Sequence, residues 1–177
     1  AVSQHGGKVL PLYVFEPGYW ALPEHSGRQF EFIKESLRDL DDALRALGSK
    51  LHIRIGEMVS VLSDIHKDHG IISVHAHEET GLLWTYDRDR AVSNWCLRAG
   101  TIFREYKQHG VVRGLKDRNG WAARWEHYMR QPRLTVMEQF SAADIGSGVW
   151  PDPTDFGLET DLCPGRQTGG RKTGVKL

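Results

Sequence analysis

The sequence has 177 residues, enough for one domain of ordinary size and a shorter appendage. Its 23 basic and 23 acidic residues cancel, so no overall charge favours nucleic acid or an anionic membrane as a partner. Cys96 and Cys163 are too few for a disulfide framework or a zinc ligand set, and no apolar run reaches the roughly 18 residues that span a bilayer. Since no signal peptide is recognisable either, we expect a cytoplasmic protein with no membrane partner.

Strand and helix patterns alternate along the first three quarters of the chain. The run VLPLYVFEP, residues 9–17, predicts a buried strand that ends in an acidic residue and a turn. The remaining predicted elements are a loop at 18–27, a helix at 28–47, a strand at 51–55, a helix at 57–69, a strand at 71–76, a helix at 83–99, a strand at 102–106 and a helix at 120–130. Single helices between strands indicate an α/β fold with a parallel sheet.

The helix predicted at 28–47 is amphipathic. Ser26 is a suitable N-cap, and Gly48 follows the last turn. One face is apolar and should pack on the sheet, whereas the opposite face should meet water. The apolar face comprises Phe30, Ile33, Leu37, Leu40, Leu44 and Leu47, and the polar face Asp39, Asp41, Asp42 and Arg45.

Beyond Gln131 the regular pattern is lost. Residues 138–161 are acidic and contain glycine, proline and serine among scattered apolar residues. Such a composition predicts a long connector that lies over a surface. We therefore divide the chain into an α/β domain at 1–132 and a connector at 133–177.

Three motifs have chemical interpretations that compete with simpler ones. Residues 165–173, GRQTGGRKT, approach a phosphate-binding loop, but Arg171 stands where lysine belongs and no strand precedes the motif, so a linker or helix start is favoured. His75 and His77 share a face near a strand end, but a complete metal ligand set cannot be named, so no metal is predicted. Cys96 lies in mid-helix without a cationic neighbour, which favours a buried structural thiol over a nucleophile.

A helical stripe of Trp121, Trp125 and Met129 has two interpretations of equal weight. It either packs within this chain or forms an interface with another domain.

The carboxyl ends of the predicted strands are the expected ligand site. Parallel α/β sheets bind ligands at that edge, and an aromatic-walled cleft with a few polar groups suits a planar molecule. The residues at or just beyond the strand ends are Glu16, Tyr19, Trp20, Arg28, Gly56, His77 and Glu78.

The same residues resemble a known family. VLPLYVFEP, followed by SGRQFEFIKESLRDL and by LGSKLHIRIG, is similar to the amino-terminal α/β domain of DNA photolyases and cryptochromes. Arg88-Asp89 with Val92, HGVVR at 109–113 and DRNGW at 117–121 extend the resemblance to about Pro132, and 165–177 resembles the approach to the family's helical flavin domain.

This resemblance implies a Rossmann-like three-layer domain with a parallel sheet of order 3-2-1-4-5. The family's first, central strand would be missing from this chain, which opens with what looks like the end of the following helix at 1–7. The FAD-binding helical domain would also lie outside the chain. We therefore expect a fragment that either folds with a gap or exchanges an element with another copy, as a homo-oligomer.

The resemblance also implies a function. In the family, the α/β domain holds an antenna pigment that passes excitation to FAD, and FAD then repairs a pyrimidine dimer. The expected cofactor is a deazaflavin, a flavin or a folate, and the expected partners are the helical FAD domain of the same protein and, through that domain only, damaged DNA. The binding residues carried over are Phe15, Glu16, Pro17, Arg28, Gly56, His77 and Glu78, and no catalytic residue is expected here.

Two departures affect the choice of pigment. Thr85 stands about where folate-type members have an acidic residue, and Arg28 lies one position away from the arginine of deazaflavin-type members. Alternative functions are a blue-light photoreceptor of the cryptochrome type that does not repair DNA, and a stand-alone nucleotide-binding α/β module.

Overall fold

The computed structural model describes residues 7–135, 140–161 and 163–176. The expected helical turn at 1–7 falls almost wholly outside these residues. The elements in chain order are β1 (Leu12–Phe15), α1 (Pro17–Trp20), α2 (Gly27–Ala46), β2 (His52–Ile55), α3 (Met58–His69), β3 (Ser73–His77), α4 (Leu83–Ala99), β4 (Ile102–Tyr106), α5 (Trp121–Met129), a short 3-10 helix (Pro153–Phe156) and α6 (Arg171–Gly174).

The chain forms two compact units. Unit 1 comprises Ala1–Val61 and Met137–Leu177, and unit 2 comprises Leu62–Val136. Helix α3 begins in unit 1 and continues in unit 2. Most of the segment that the sequence assigns to a connector is thus part of the same unit as β1, α2 and β2.

Each unit contains one pair of parallel strands. In unit 1, β1 pairs with β2 in a register that sets Phe15 opposite Ile55. In unit 2, β3 pairs with β4, and His77 lies opposite Tyr106. Helices α2 and α4 connect the paired strands, as parallel pairing requires. The parallel α/β class is confirmed. With β1–β4 counted as the family's second to fifth strands, each pair consists of neighbours in the order 3-2-1-4-5 that the resemblance implies.

An aromatic cluster forms the core of unit 1. Phe15 and Phe30 are fully buried, and their ring centroids lie 5.2 Å apart. Trp20 is 1% exposed and meets the Phe30 ring edge-on at 4.8 Å. Leu37, Leu51 and Ile53 complete the buried cluster. Such rings bury large areas, so this cluster supplies much of the hydrophobic stabilisation of unit 1.

Unit 2 has a smaller core between α3 and α4. Leu62 and Ile65 of α3 and Val92 and Trp95 of α4 are buried, and Cys96 is 1% exposed. Burial raises the pKa of the Cys96 thiol, which disfavours the reactive thiolate. The interpretation of Cys96 as a structural thiol is confirmed.

The segment after residue 140 is anchored to unit 1 at several points. Residue 9 forms a parallel bridge with residue 142, in which the Val9 N–H donates to the Ser141 carbonyl at 2.7 Å. Farther on, Trp150, Phe156 and Leu158 pack against the aromatic cluster. A few well-placed apolar side chains thus anchor the segment, which the sequence predicts to be a connector, to unit 1.

Two local predictions also need correction. Residues 17–20 form the short helix α1, because Pro17 suits the first helical position and lacks only an N–H that would be unpaired there. Asp41 does not face water; it is 8% exposed and accepts a hydrogen bond from the Leu51 N–H at 2.7 Å. In contrast, Leu40, placed on the apolar face by its spacing, is 47% exposed.

Among the described residues, no helix combines the length and the apolar character needed to cross a bilayer.

The packing of Phe156 gives a test of this fold. Its ring lies 5.5 Å from Phe30 and 6.1 Å from Phe15, so Phe156→Ala should lower the free energy of unfolding by about 2–4 kcal/mol. The matched control is Val149→Ala in the same segment, since Val149 is 83% exposed and should change stability by less than about 0.5 kcal/mol. Urea unfolding measures both. Equal effects of the two substitutions would show that the segment is not part of the core.

Candidate functional site

The carboxyl ends of β1 and β2 meet at the start of α3. The Gly56 N–H donates to the Phe15 carbonyl at 3.1 Å, and the Met58 N–H donates to Glu16 Oε1 at 2.9 Å. Gly56 has a φ of 143°, a conformation that other residues rarely adopt. Glu16 is 3% exposed. The hydrogen bond from Met58 holds its carboxylate at the amino-terminal, positive end of the α3 dipole. Phe15, Glu16 and Gly56 are therefore brought together, as the sequence predicts.

Burial decides which atoms at this edge can meet a ligand. Phe15 is fully buried and Trp20 nearly so, whereas the neighbouring Ile55 is 50% exposed at the end of β2. Sequence reasoning missed Ile55, because its place two residues after the buried Ile53 predicts burial on the same face. The accessible surface of this edge thus includes Ile55, the Gly56 backbone, and the exposed Pro17 and Glu57.

Arg28 is tied to the segment after residue 140. Its guanidinium lies 2.8 Å from the Asp161 carboxylate, and its side chain is 52% exposed. The hydrogen bond from Arg28, with one from the Cys163 N–H, lowers the pKa of Asp161. Arg28 therefore has a structural partner, and a role in ligand binding stays a prediction.

In unit 2, His77 and Glu78 occupy the carboxyl end of β3. His77 is exposed, and the Glu78 N–H donates to the Tyr106 carbonyl at 2.9 Å, which extends the β3–β4 pairing. Two residues later, Thr80 Oγ1 lies 3.0 Å from His109 Nε2. Backbone pairing with β4 thus fixes the positions from which the His77 and Glu78 side chains extend. Their contact with a ligand stays a prediction.

Beside this strand end lies an ion cluster built around Arg113. Its guanidinium reaches Asp89 at 2.5 Å and Glu105 at 2.7 Å, and its Nε donates to the Glu79 carbonyl at 2.6 Å. Although desolvation acts in the opposite direction, the hydrogen bonds to Glu105 and Asp89 raise the pKa of Arg113. The cluster joins the Arg88-Asp89 and HGVVR motifs, which gives both a structural role that spacing alone did not reveal.

The two histidines considered for a metal site do not form one. His75 Nδ1 lies 2.8 Å from the Tyr106 hydroxyl, and Nε2 lies 2.9 Å from Ser73 Oγ. Within residues 7–135, 140–161 and 163–176, no group of three histidine, cysteine or acidic side chains is suitably placed to hold a metal ion.

The loop that resembles a phosphate-binding motif binds a carboxylate of its own chain. Glu35 on α2 accepts hydrogen bonds from the Arg166 guanidinium at 2.5 and 3.0 Å and from the Gly169 N–H at 2.8 Å. The Gly170 N–H donates to Ser36 Oγ at 3.0 Å. Hydrogen bonding by Arg166 lowers the pKa of Glu35. The Gly169 amide, which a phosphate loop would offer to its ligand, is therefore occupied by Glu35.

These features define a class of protein, an α/β domain in which helices connect parallel strands. At the carboxyl ends of the strands, backbone and apolar surface are accessible. The family model for DNA photolyase matches residues 1–118, two thirds of the chain. The chain therefore belongs to the DNA photolyase family, and the resemblance noted from its motifs is confirmed.

Two relatives are similar in sequence over shorter ranges. Cryptochrome DASH of Xenopus laevis is 32% identical over 110 residues, which are 58% of this chain and 21% of the relative. Blue-light photoreceptor PHR2 of Arabidopsis thaliana is 33% identical over 76 residues, 40% of this chain and 17% of the relative. The chain thus matches about a fifth of the length of these relatives.

Solved structures share the fold at lower identity. A cryptochrome from Synechocystis sp. PCC6803 gives a TM-score of 0.76 at 16% identity, with 98% of this chain and 40% of that chain covered. A class III photolyase from Agrobacterium tumefaciens gives 0.70 at 18% identity, with 98% and 38% covered. An archaeal photolyase from Sulfolobus tokodaii, solved with two FAD molecules, gives 0.66 at 19% identity, with 99% and 40% covered.

The close approach of Gly169 to α2 can be tested by adding a methyl group. A Cβ there would lie 2.1 Å from the Phe32 carbonyl oxygen and 2.6 Å from Ser36 Oγ, so Gly169→Ala should displace the loop from α2. We expect the amides of 166–172 to exchange with deuterium at least about tenfold faster, since local opening then costs less free energy. Gly174→Ala is the control, because a Cβ there meets nothing within 4 Å. Unchanged exchange in Gly169→Ala would contradict the docked position of the loop.

The lowered pKa of Glu35 predicts a pH dependence of stability. A carboxylate with a depressed folded-state pKa stabilises the fold above its ordinary value of 4.5, and this contribution disappears as the pH falls through the folded-state pKa. Glu35→Gln should therefore reduce the urea midpoint at pH 6 and have progressively less effect towards pH 3. In a chain that carries Arg166→Gln, the same substitution should show a weaker pH dependence. An effect of Glu35→Gln that is constant with pH would refute the ion pair as its cause.

Proposed function

We propose that this chain is the light-harvesting antenna domain of a photolyase-like flavoprotein. The full-length parent would repair pyrimidine dimers with FAD held in a helical domain. The observation that carries the proposal is the family match over residues 1–118, which covers all four strands. Ligands of open parallel α/β sheets bind at that edge.

The exposed surface at the carboxyl ends suits the ring system of a pigment. Ile55 offers apolar area, and Gly56, without a side chain, lets a flat ring approach the backbone. His77 and Glu78, at the carboxyl end of β3 in unit 2, are further candidate residues that the family resemblance suggests. When bound, the pigment supplies light absorption, and the residues of this chain hold its ring and keep it in a fixed orientation.

A flavin is the pigment that we favour. Thr85, at the position where folate-type members have a carboxylate, is 5% exposed and its hydroxyl donates to the Leu82 carbonyl at 2.8 Å, so it offers no group to a folate. The archaeal photolyase was solved with two FAD molecules, which implies a novel light-harvesting cofactor in that protein. These observations support a flavin-type antenna here as well.

A blue-light photoreceptor that does not repair DNA is the second candidate. It is supported by the names of the two sequence relatives, a DASH cryptochrome and a blue-light photoreceptor. The two candidates differ in one measurement on the full-length parent, which is repair of pyrimidine dimers in light with FAD bound. Repair favours the photolyase function, and bound FAD without repair favours the photoreceptor.

Binding of a pigment to the purified chain tests the antenna function. FMN, FAD, a deazaflavin and a reduced folate are each titrated by equilibrium dialysis, and we expect saturable binding of a flavin. Ile55→Glu should weaken it at least about tenfold, because a carboxylate would be desolvated beneath the ring. Ile72→Glu is the matched control, since Ile72 is 67% exposed on another part of the chain. If none of the four pigments binds, the antenna function is refuted.

A further inference from the structure

A cavity of about 420 Å³ lies between helix α5 and the segment that follows β4. Its basic lining consists of Lys107, Arg124 and His127, and its remaining lining consists of Gly110, Val112, Ala123 and Tyr128. The volume is within the range of small-molecule sites, which runs from about 300 to 1,000 Å³. All of these residues belong to unit 2, so one compact unit builds the whole cavity.

Two contacts fix the walls of the cavity. The Tyr128 hydroxyl donates to the Lys107 carbonyl at 2.6 Å, which ties the segment to α5. Gly110 is packed directly on Trp125, since an added Cβ would lie 2.5 Å from Trp125 Cδ1. The space is therefore formed before any ligand arrives, which reduces the ordering cost of binding.

The charged side chains that line the cavity are basic. No acidic side chain is found among its lining residues in the part of the chain that the structure describes. Arg124 donates to the backbone carbonyl of Asp117 at 3.4 Å, which is a neutral acceptor. The nearby carboxylates have other partners: Asp117 accepts from the N–H and side-chain amide of Asn119, and Glu126 pairs with Arg130 on the same helix.

This arrangement differs from that of Arg113 in the same unit. Arg113 is enclosed by two carboxylates, Asp89 and Glu105, whereas no ion pair of Lys107 or Arg124 with a carboxylate is found in the part of the chain that the structure describes. Cations around a preformed cavity attract an anion. The side chains of Val112 and Ala123 and the ring of Tyr128 add apolar surface, which an inorganic anion alone would leave uncovered.

We propose that this cavity binds a small phosphate-bearing ring compound, of the size of a nucleoside monophosphate. The phosphate contacts Lys107 and Arg124, with the His127 imidazole beside them, and the ring covers Val112, Ala123 and Tyr128. Arginine suits phosphate because its planar fork donates two parallel hydrogen bonds. The site is separate from the strand-end residues proposed for the antenna, and it does not depend on that function.

The test uses AMP, adenosine and inorganic phosphate as probes of the purified 177-residue chain, with isothermal titration calorimetry as the measurement. We expect saturable one-to-one binding of AMP, and binding at least about tenfold weaker for adenosine, which lacks the charge, and for phosphate, which lacks the ring. Arg124→Gln and Lys107→Gln should each weaken AMP binding at least about tenfold, because each removes a charge-assisted hydrogen bond.

Arg130→Gln is the matched control, since Arg130 is on the same helix, is 80% exposed in its side chain and does not line the cavity. It should leave the affinity for AMP within about twofold. The proposal is overturned if AMP does not bind, if adenosine binds as tightly as AMP, or if Arg130→Gln weakens binding as much as Arg124→Gln. Ile55→Glu should leave AMP binding unchanged, so failure of this site and failure of the antenna site are distinguishable.

Discussion

Burial of the Phe15 ring is the constraint on which the rest of unit 1 depends. Phe15 stands at the end of β1, and its ring contacts residues from α1, α2 and the 3-10 helix, with centroids 6.5 Å from Trp20, 5.2 Å from Phe30 and 6.1 Å from Phe156. One strand end thus links segments that are up to 141 positions apart in the sequence, the separation of Phe15 and Phe156. Because the ring is fully buried, packing fixes the position of the strand end, and a ligand site at the end of a strand requires such support.

A second set of interactions holds the late segment to α2. Lys34, Glu35 and Asp39 contact Asp152, Arg166 and Lys172 in turn, so residues in chain order along one helix bind successive parts of the segment. Lys34 is 5% exposed and its ammonium is paired with Asp152, which avoids the cost of an isolated buried charge. Most of these pairs are partly exposed and contribute little individually. Their value lies in specifying where the segment docks, while Trp150 and Phe156 supply most of the stabilisation.

Local sequence patterns predicted the helices and strands well, but they did not predict contacts between residues that are far apart in the sequence. The helix predicted at 83–99 and the strand predicted at 102–106 agree with α4 and β4, because periodicity, Gly100 and β-branched residues act within a few positions. Asp41 illustrates the opposite case. Its charge predicts exposure, but its carboxylate accepts the Leu51 N–H beyond the end of the helix, and helical spacing contains no information about that partner. The docking of 165–173 on Glu35 was missed for the same reason.

At the candidate site, too, the positions of residues were predictable from the sequence and their contacts were not. Position at a strand end was predictable, because parallel strands deliver their carboxyl ends to one edge, and Phe15, Glu16 and Gly56 do come together. The contacts of each side chain were not predictable. The ring of Phe15 faces the core, and the Glu16 carboxylate accepts a hydrogen bond from the first amide of α3. The unit 1 edge therefore offers a ligand backbone and apolar surface beside the exposed Glu57, in place of the buried Glu16 carboxylate. Recognition of a pigment at this edge would rest mainly on shape and ring stacking.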